Sequence, residues 1–197
     1  MGSRWKSKGL ELGPEYRLAS FEQLEGRAVF ADVRAAWNDA GLALSLLVAG
    51  KKRPPLGDED HPTQGDGLQV WIDTRDTHNV HRATRFCHWF VLLPNGGGKR
   101  RDEPMAEHLW IHRAKENPKR AESKQILLRS EKRVDGYLLE AFLPAEVLTG
   151  WEPAEHPRLG FTYMVNDREM GQQTFSCSQH FPFREDPSLW GTLELTE

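Results

Sequence analysis

The residues best equipped for chemistry lie in Asp66-Gly67-Leu68-Gln69-Val70-Trp71-Ile72-Asp73-Thr74-Arg75-Asp76 and in Val80-His81-Arg82-Ala83-Thr84-Arg85-Phe86-Cys87-His88-Trp89-Phe90. Alternation in the first run puts Leu68, Val70 and Ile72 on one face of a strand and Gln69, Trp71 and Asp73 on the other. A tryptophan between an amide and a carboxylate on the non-core face suits a polar ligand with an apolar side. Trp110 alternates with His108 and His112 opposite Leu109 and Ile111, which puts a second aromatic on a polar strand face. With Arg75, Arg85 and Asn166 as planar hydrogen-bonding groups, the candidate ligand-binding set is Gln69, Trp71, Arg75, Arg85, Trp110 and Asn166. The competing reading has Trp71 and Trp110 covering one another or a loop. Trp37, Trp89 and Trp190 read as core or edge packing, and Trp151, in a Gly-Trp-Glu-Pro loop, is a weaker ligand candidate.

Metal chemistry has two candidate sources. His78, His81 and His88 with Cys87 offer imidazole and thiolate, which suit zinc or copper, at a spacing that matches no standard zinc pattern. Asp58, Asp60, Asp66, Asp73 and Asp76 offer hard oxygens in and around one loop, as calcium requires, without an EF-hand pattern. The metal candidates are therefore Asp73, Asp76, His78 and His81, against a plainer reading in which Arg75, Arg82 and Arg85 pair with Asp73 and Asp76. Cys87 reads as a small buried hydrophobe, and His88, between Cys87 and Trp89-Phe90, as buried and hydrogen-bonded. The one carboxylate pair worth weighing for glycoside hydrolysis is Glu140 with Asp167. Glu140 reads as the outer face of a strand and Asp167 as closing a turn, and no nucleophile elbow or HExxH occurs, so the expectation is a non-enzyme.

The elements that must position these groups are short and β-rich. At 197 residues, 38% hydrophobic and 28% charged, the chain is long enough to bury one sizeable core. Strands are expected near 28–36, 41–49, 67–73, 84–93, 107–113, 125–130, 136–143, 158–165, 173–178 and 190–195. This predicts an all-β antiparallel β-sandwich of about ten strands with at most short helical turns, a single domain over 1–197 with 1–27 as an N-terminal lead-in. Asn38-Asp39-Ala40-Gly41 and Asp135-Gly136 read as hairpin turns, and Pro144 to Gly150 as about one helical turn. Lys51 to Gly65 and Pro94 to Glu107 read as long loops, the second opened by Asn95-Gly96-Gly97-Gly98, which is no phosphate loop because no Lys-Ser/Thr follows.

Lys plus Arg number 26 against 29 Asp plus Glu, a net charge of −3, which offers no global attraction to nucleic acid or an anionic membrane. The basic runs Lys51-Lys52-Arg53 and Lys99-Arg100-Arg101 read as solvated loop tips. Cys87 and Cys177 allow at most one disulfide. No segment approaches the ~20 apolar residues of a membrane helix. The polar start Met1-Gly2-Ser3-Arg4-Trp5-Lys6 lacks the apolar region of a signal peptide; localisation is open, and cytoplasmic if Met1 is the native start.

Five segments taken in order resemble the family 9 carbohydrate-binding modules: Trp37-Asn38-Asp39-Ala40-Gly41-Leu42-Ala43-Leu44-Ser45; Asp66 to Asp73; Gly136-Tyr137-Leu138-Leu139-Glu140-Ala141-Phe142-Leu143-Pro144; Leu159-Gly160-Phe161-Thr162-Tyr163-Met164-Val165-Asn166-Asp167; and Trp190-Gly191-Thr192-Leu193-Glu194-Leu195. The resemblance spans roughly residues 30 to 195 and implies a jelly-roll-like sandwich of the DOMON-like group, whose branches bind sugars or haem. It also implies a sugar held between tryptophans with Arg, Gln, Glu and Asn on its hydroxyls, and structural calcium; Asn166 sits on the family's Asn-Asp motif. A sugar rings an apolar C–H face with hydroxyls, matching an aromatic flanked by planar polar groups. The expectation is a non-catalytic saccharide-binding domain. The alternatives are a metal- or haem-binding sensor or redox domain, for which Met164 and Met170 are further ligands, and a domain that docks a protein partner or a second copy through exposed Trp.

Overall fold

The computed structural model describes residues 9–196, so the start Met1 to Lys6 lies outside the described residues. Ten strands follow one another: β1 (Ala31–Asn38), β2 (Gly41–Ala49), β3 (Gly67–Asp73), β4 (Cys87–Gly97), β5 (Glu103–Leu109), β6 (Leu127–Arg133), β7 (Gly136–Pro144), β8 (Arg158–Asp167), β9 (Gly171–Thr174) and β10 (Gly191–Glu194). Among the described residues, helix is confined to one turn, α1 (Phe21–Leu24), and short 3-10 turns, one of them at Ala145–Val147, and no helix is long and apolar enough to cross a membrane.

All pairing is antiparallel, in two sheets ordered β1-β2-β7-β6 and β10-β8-β3-β4-β5, with β9 also paired to β8. Asn38 pairs with Gly41 around the turn Asp39-Ala40, where the Asn38 side chain accepts from the Ala40 N–H at 2.9 Å. Pro94 to Glu107 is not the long loop its composition suggests. β4 runs on to Gly97 and β5 begins at Glu103, with a register shift between Leu93 and Gly97. Gly96 takes φ 105°, open to glycine, so the triple glycine bends the hairpin without breaking it.

The facing sides of the two sheets form the core, with Leu44, Leu46 and Leu139 from the first sheet and Val70, Phe90 and Phe161 from the second all closed to solvent. Alternation predicts one buried face for β3, yet every residue from Gly67 to Asp73 is buried. The reason is the segment after β9: Phe183 and Trp190 fold back over the outer side of the second sheet and pack with Trp71, Cys87, Met164 and Ile111. The lead-in lies along the first sheet. Leu10 N–H donates to Glu140 at 2.8 Å, and Arg17 bridges to Arg34 on β1. Farther on, the buried Glu22 carboxylate accepts from Ser20 Oγ and Thr174 N.

At one end of the sandwich the strands are joined by ions. Lys51, expected in a solvated loop tip, is instead buried just beyond β2, its ammonium 3.0 Å from Asp66 Oδ2 and 2.7 Å from Asp167 Oδ2. Burial pulls the Lys51 pKa down, but the hydrogen bonds to Asp167 and Asp66 outweigh it and the net shift is upward. Asp66 also accepts from the N–H groups of Leu56 and Arg168, and Asp167 from those of Glu169 and Met170. The flanking loop is held close: a Cβ at Gly57 would meet the Asn95 carbonyl oxygen at 2.0 Å, so this crossing requires glycine.

A second polar group sits on the inner face of the second sheet, where His88 Nδ1 lies 3.3 Å from His108 Nε2 and both rings stack with Phe90. Ala121 N–H donates to His108 Nδ1 at 2.9 Å. The His108 proton is therefore on Nε2 and points at His88 Nδ1, leaving the His88 proton on a buried Nε2 with no hydrogen-bond partner. Burial, together with the adjacent His108 ring for His88 and the Arg120 guanidinium for His108, pushes the pKa of His88 down to about 3 and of His108 down to about 4, against an ordinary 6.5.

Two outcomes are expected. Replacing Lys51 with Met strands two buried carboxylates and should cost about 3–5 kcal/mol in denaturant unfolding; a loss below about 1 kcal/mol would show that the acids are not held by this ammonium. For the histidines, the unfolded chain takes up protons below its pKa of 6.5 while the folded rings stay neutral down to about 4. Stability should thus be level above neutrality and fall between those limits, by roughly 2 kcal/mol per histidine at pH 5. Equal denaturant midpoints at pH 7.5 and about pH 5 would contradict neutral burial.

Candidate functional site

Strand register aligns side chains into rows across the outer face of the second sheet. Thr162, Trp71, Trp89 and Leu109 form one row, and Met164, Gln69, Val91 and Glu107 the next. The rings of Trp71 and Trp89 stack at 5.4 Å with 14° between planes, and Phe183 meets Trp71 edge-on at 5.3 Å. Such pairs add ~0.5–1.5 kcal/mol beyond area burial. Trp71 is fully buried while Trp89 keeps part of its surface open. Neither indole N–H has a hydrogen-bond partner, although buried polar groups in folded proteins are ordinarily satisfied.

Polar side chains border the aromatic pair. Arg184 lies partly buried over the Phe183 ring, with a terminal nitrogen 3.1 Å from Met164 Sδ. Burial lowers its pKa. Gln69 is buried and donates to the Thr63 carbonyl at 3.0 Å. Glu107 accepts from Arg120 at 2.6 Å and from Ser123 Oγ at 3.3 Å.

Three of the six expected ligand residues share this face: Gln69, Trp71 and Asn166. Asn166 is engaged structurally, donating to Gly65 O at 2.9 Å and accepting from Gln172 at 3.0 Å. Trp71 is not the exposed ring expected of it, because Phe183 and Trp89 cover it. Arg75 and Arg85 sit elsewhere, 4.5 and 5.1 Å from the Phe86 ring, with Arg75 also paired to Glu152 at 2.8 Å. Trp110 is 64% exposed but follows the last residue of β5. The polarity expected of that strand is reversed: His108 faces Phe90 in the core while Leu109 shares the outer row with Trp89. Trp89 and Arg184 were not in the expected set. Trp89 alternates with Cys87 and Val91, which places it opposite His88 and Phe90, but its pairing with Trp71 depends on register that composition does not carry.

The expected metal residues are occupied with one another and with the main chain. Asp73 accepts from the N–H groups of Arg75 and Thr77 at 3.0 and 2.8 Å. Asp76 pairs with His78 at 2.9 Å and accepts from Thr192, whereas His81 pairs with Asp186 at 3.1 Å. Asp58 accepts from Asp60 N–H and contacts His61; Asp60 faces Arg101 at 3.3 Å. Each of these carboxylates, like Asp66, is aimed at N–H or O–H donors, whereas calcium needs several converging bare oxygens, so the donor set does not fit that ion. Cys87 and His88 point to opposite faces of β4 and cannot share a metal; burial raises the Cys87 thiol to about 12. Among the described residues, only Glu152, Glu155 and His156 bring three ligand atoms within 4.8 Å of one another, and both glutamates are exposed. Glu140 and Asp167 lie on different sheets, the first paired to Arg129 and the second to Lys51.

No protein-family model and no curated protein matches the chain. Solved structures do. A family 9 carbohydrate-binding module of Caldicellulosiruptor kristjanssonii in complex with cellotriose superposes with a TM-score of 0.57 at 15% identity, over 83% of this chain and 73% of that one. The module from the same organism in complex with glucose gives 0.58 at 15% identity, over 84% and 76%. A Bacteroides uniformis protein whose name assigns it carbohydrate binding provisionally gives 0.52 at 12% identity, over 83% and 77%. The two sheets and ten strands of this chain thus form a β-sandwich of the kind seen in family 9 carbohydrate-binding modules.

Proposed function

We propose that this chain is a non-catalytic saccharide-binding domain whose ligand lies on the outer face of the second sheet, against Trp89. The observation that carries the reading is the stacked Trp71–Trp89 pair, in which Trp89 keeps part of its surface open on this face. A pyranose ring offers an apolar face to Trp89, and its hydroxyls offer acceptors to Arg184 and both donors and acceptors to the Glu107 edge. The C. kristjanssonii modules, complexed with cellotriose and with glucose, support saccharide as the ligand class. The separation of Glu140 from Asp167 supports a role in binding without hydrolysis, since glycosidase carboxylates must face one another across the scissile bond.

A second reading rests on Trp110, 64% exposed beside a strand end: an aromatic anchor for protein docking or self-association. The two separate cleanly. In a fluorescence titration against glucose and cellotriose, Trp89→Ala should weaken binding at least about tenfold, or ~1.4 kcal/mol, while Trp110→Ala leaves it unchanged. A folded wild-type protein with a flat response to a broad glycan panel, whose self-association is lost on Trp110→Ala, would replace the first reading with the second.

A further inference from the structure

The charge at the edge of the aromatic pair narrows the ligand class, an inference that rests on the saccharide reading of this face. Arg184 is held in place by the Phe183 ring and by Met164, and its sole side-chain hydrogen-bond contact among the described residues is the Met164 sulfur at 3.1 Å, a weak acceptor. Burial lowers its pKa, and among the described residues no carboxylate pairs with this guanidinium. The acids that follow it in sequence are already matched, Glu185 with His112 at 3.0 Å and Asp186 with His81 at 3.1 Å. The unpartnered N–H groups of Trp71 and Trp89 are closed to solvent and leave this guanidinium as the open donor beside Phe183. The accessible polar group left unmatched here is a donor that carries a fixed positive charge.

A neutral sugar would accept from this guanidinium and leave its charge unpaired. A carboxylate fits the guanidinium fork with two parallel bonds, each stronger than a neutral hydrogen bond. We propose that the face recognises an acidic saccharide, with the carboxylate of a uronic-acid unit on Arg184 and the adjoining pyranose ring on Trp89. Partial burial of the guanidinium makes the pair less open to salt screening than a fully exposed one.

The test titrates the full chain with glucose and cellotriose and, in parallel, with glucuronic acid and a triuronate, followed by tryptophan fluorescence and calorimetry. The acids should bind about tenfold tighter or better at low salt, and Arg184→Gln should bring the acid-to-neutral affinity ratio to about one. Arg184→Lys, which keeps the charge without the fork, should retain part of the preference. Equal or tighter binding of the neutral sugars, lost on Trp89→Ala, would overturn the acidic ligand and leave the saccharide face standing. Binding of none of the four by the folded protein would overturn both.

Discussion

The Lys51 ammonium between Asp66 and Asp167 is the constraint on which the rest of the architecture turns. Its three side chains come from the end of β2 in the first sheet and from the start of β3 and end of β8 in the second. Fixing them fixes the relation of the sheets at that end and sets where β3 and β8 begin their shared register. Gly67 pairs with Asn166 directly beside the two acids, and that register then carries Gln69 to Met164 and Trp71 to Thr162. A slip of one residue would turn the whole set over, moving Trp71 into the core and Val70 out. The ion group thus costs desolvation and returns a unique alignment, a role in which buried charges have their best support.

β3 shows why alignment matters. As a central strand it is covered on one side by the first sheet and on the other by the Phe183 and Trp190 segment, so its polar outer residues are accounted for one by one. Gln69 reaches Thr63, and Asp73 takes two N–H groups of the following turn. The indoles of Trp71 and Trp89 are the exceptions. An unsatisfied buried donor costs ~1–3 kcal/mol, and here two of them lie side by side in one stacked pair.

Local pattern made the strands legible. Period-two alternation and turn residues place all ten within a few positions of where they lie, because both are properties of a few adjacent residues. What escaped is what depends on distant segments. Lys51 belongs to a Lys-Lys-Arg run that reads as a solvated tip, and only partners fifteen and more than a hundred residues away make it a buried ion. Trp71 reads as exposed because the residues that cover it, Trp89 and Phe183, follow in other segments. Asn166 and Gln69 are on the face their alternation predicts, yet their hydrogen bonds to loop carbonyls depend on chain crossings that no short motif encodes.

The same distinction explains why the candidate site is a face and not a cleft. Both carboxylates considered for catalysis have been drawn into structural pairs, Glu140 with Arg129 and Asp167 with Lys51, and the two buried histidines are held neutral by the core. These ionisable groups are spent on holding the sandwich together, so none retains a free lone pair or proton aimed at an open surface. What the outer face presents is a stacked aromatic pair with Trp89 part open and the Arg184 guanidinium at Phe183, groups able to pack against a ring and pair with its substituents.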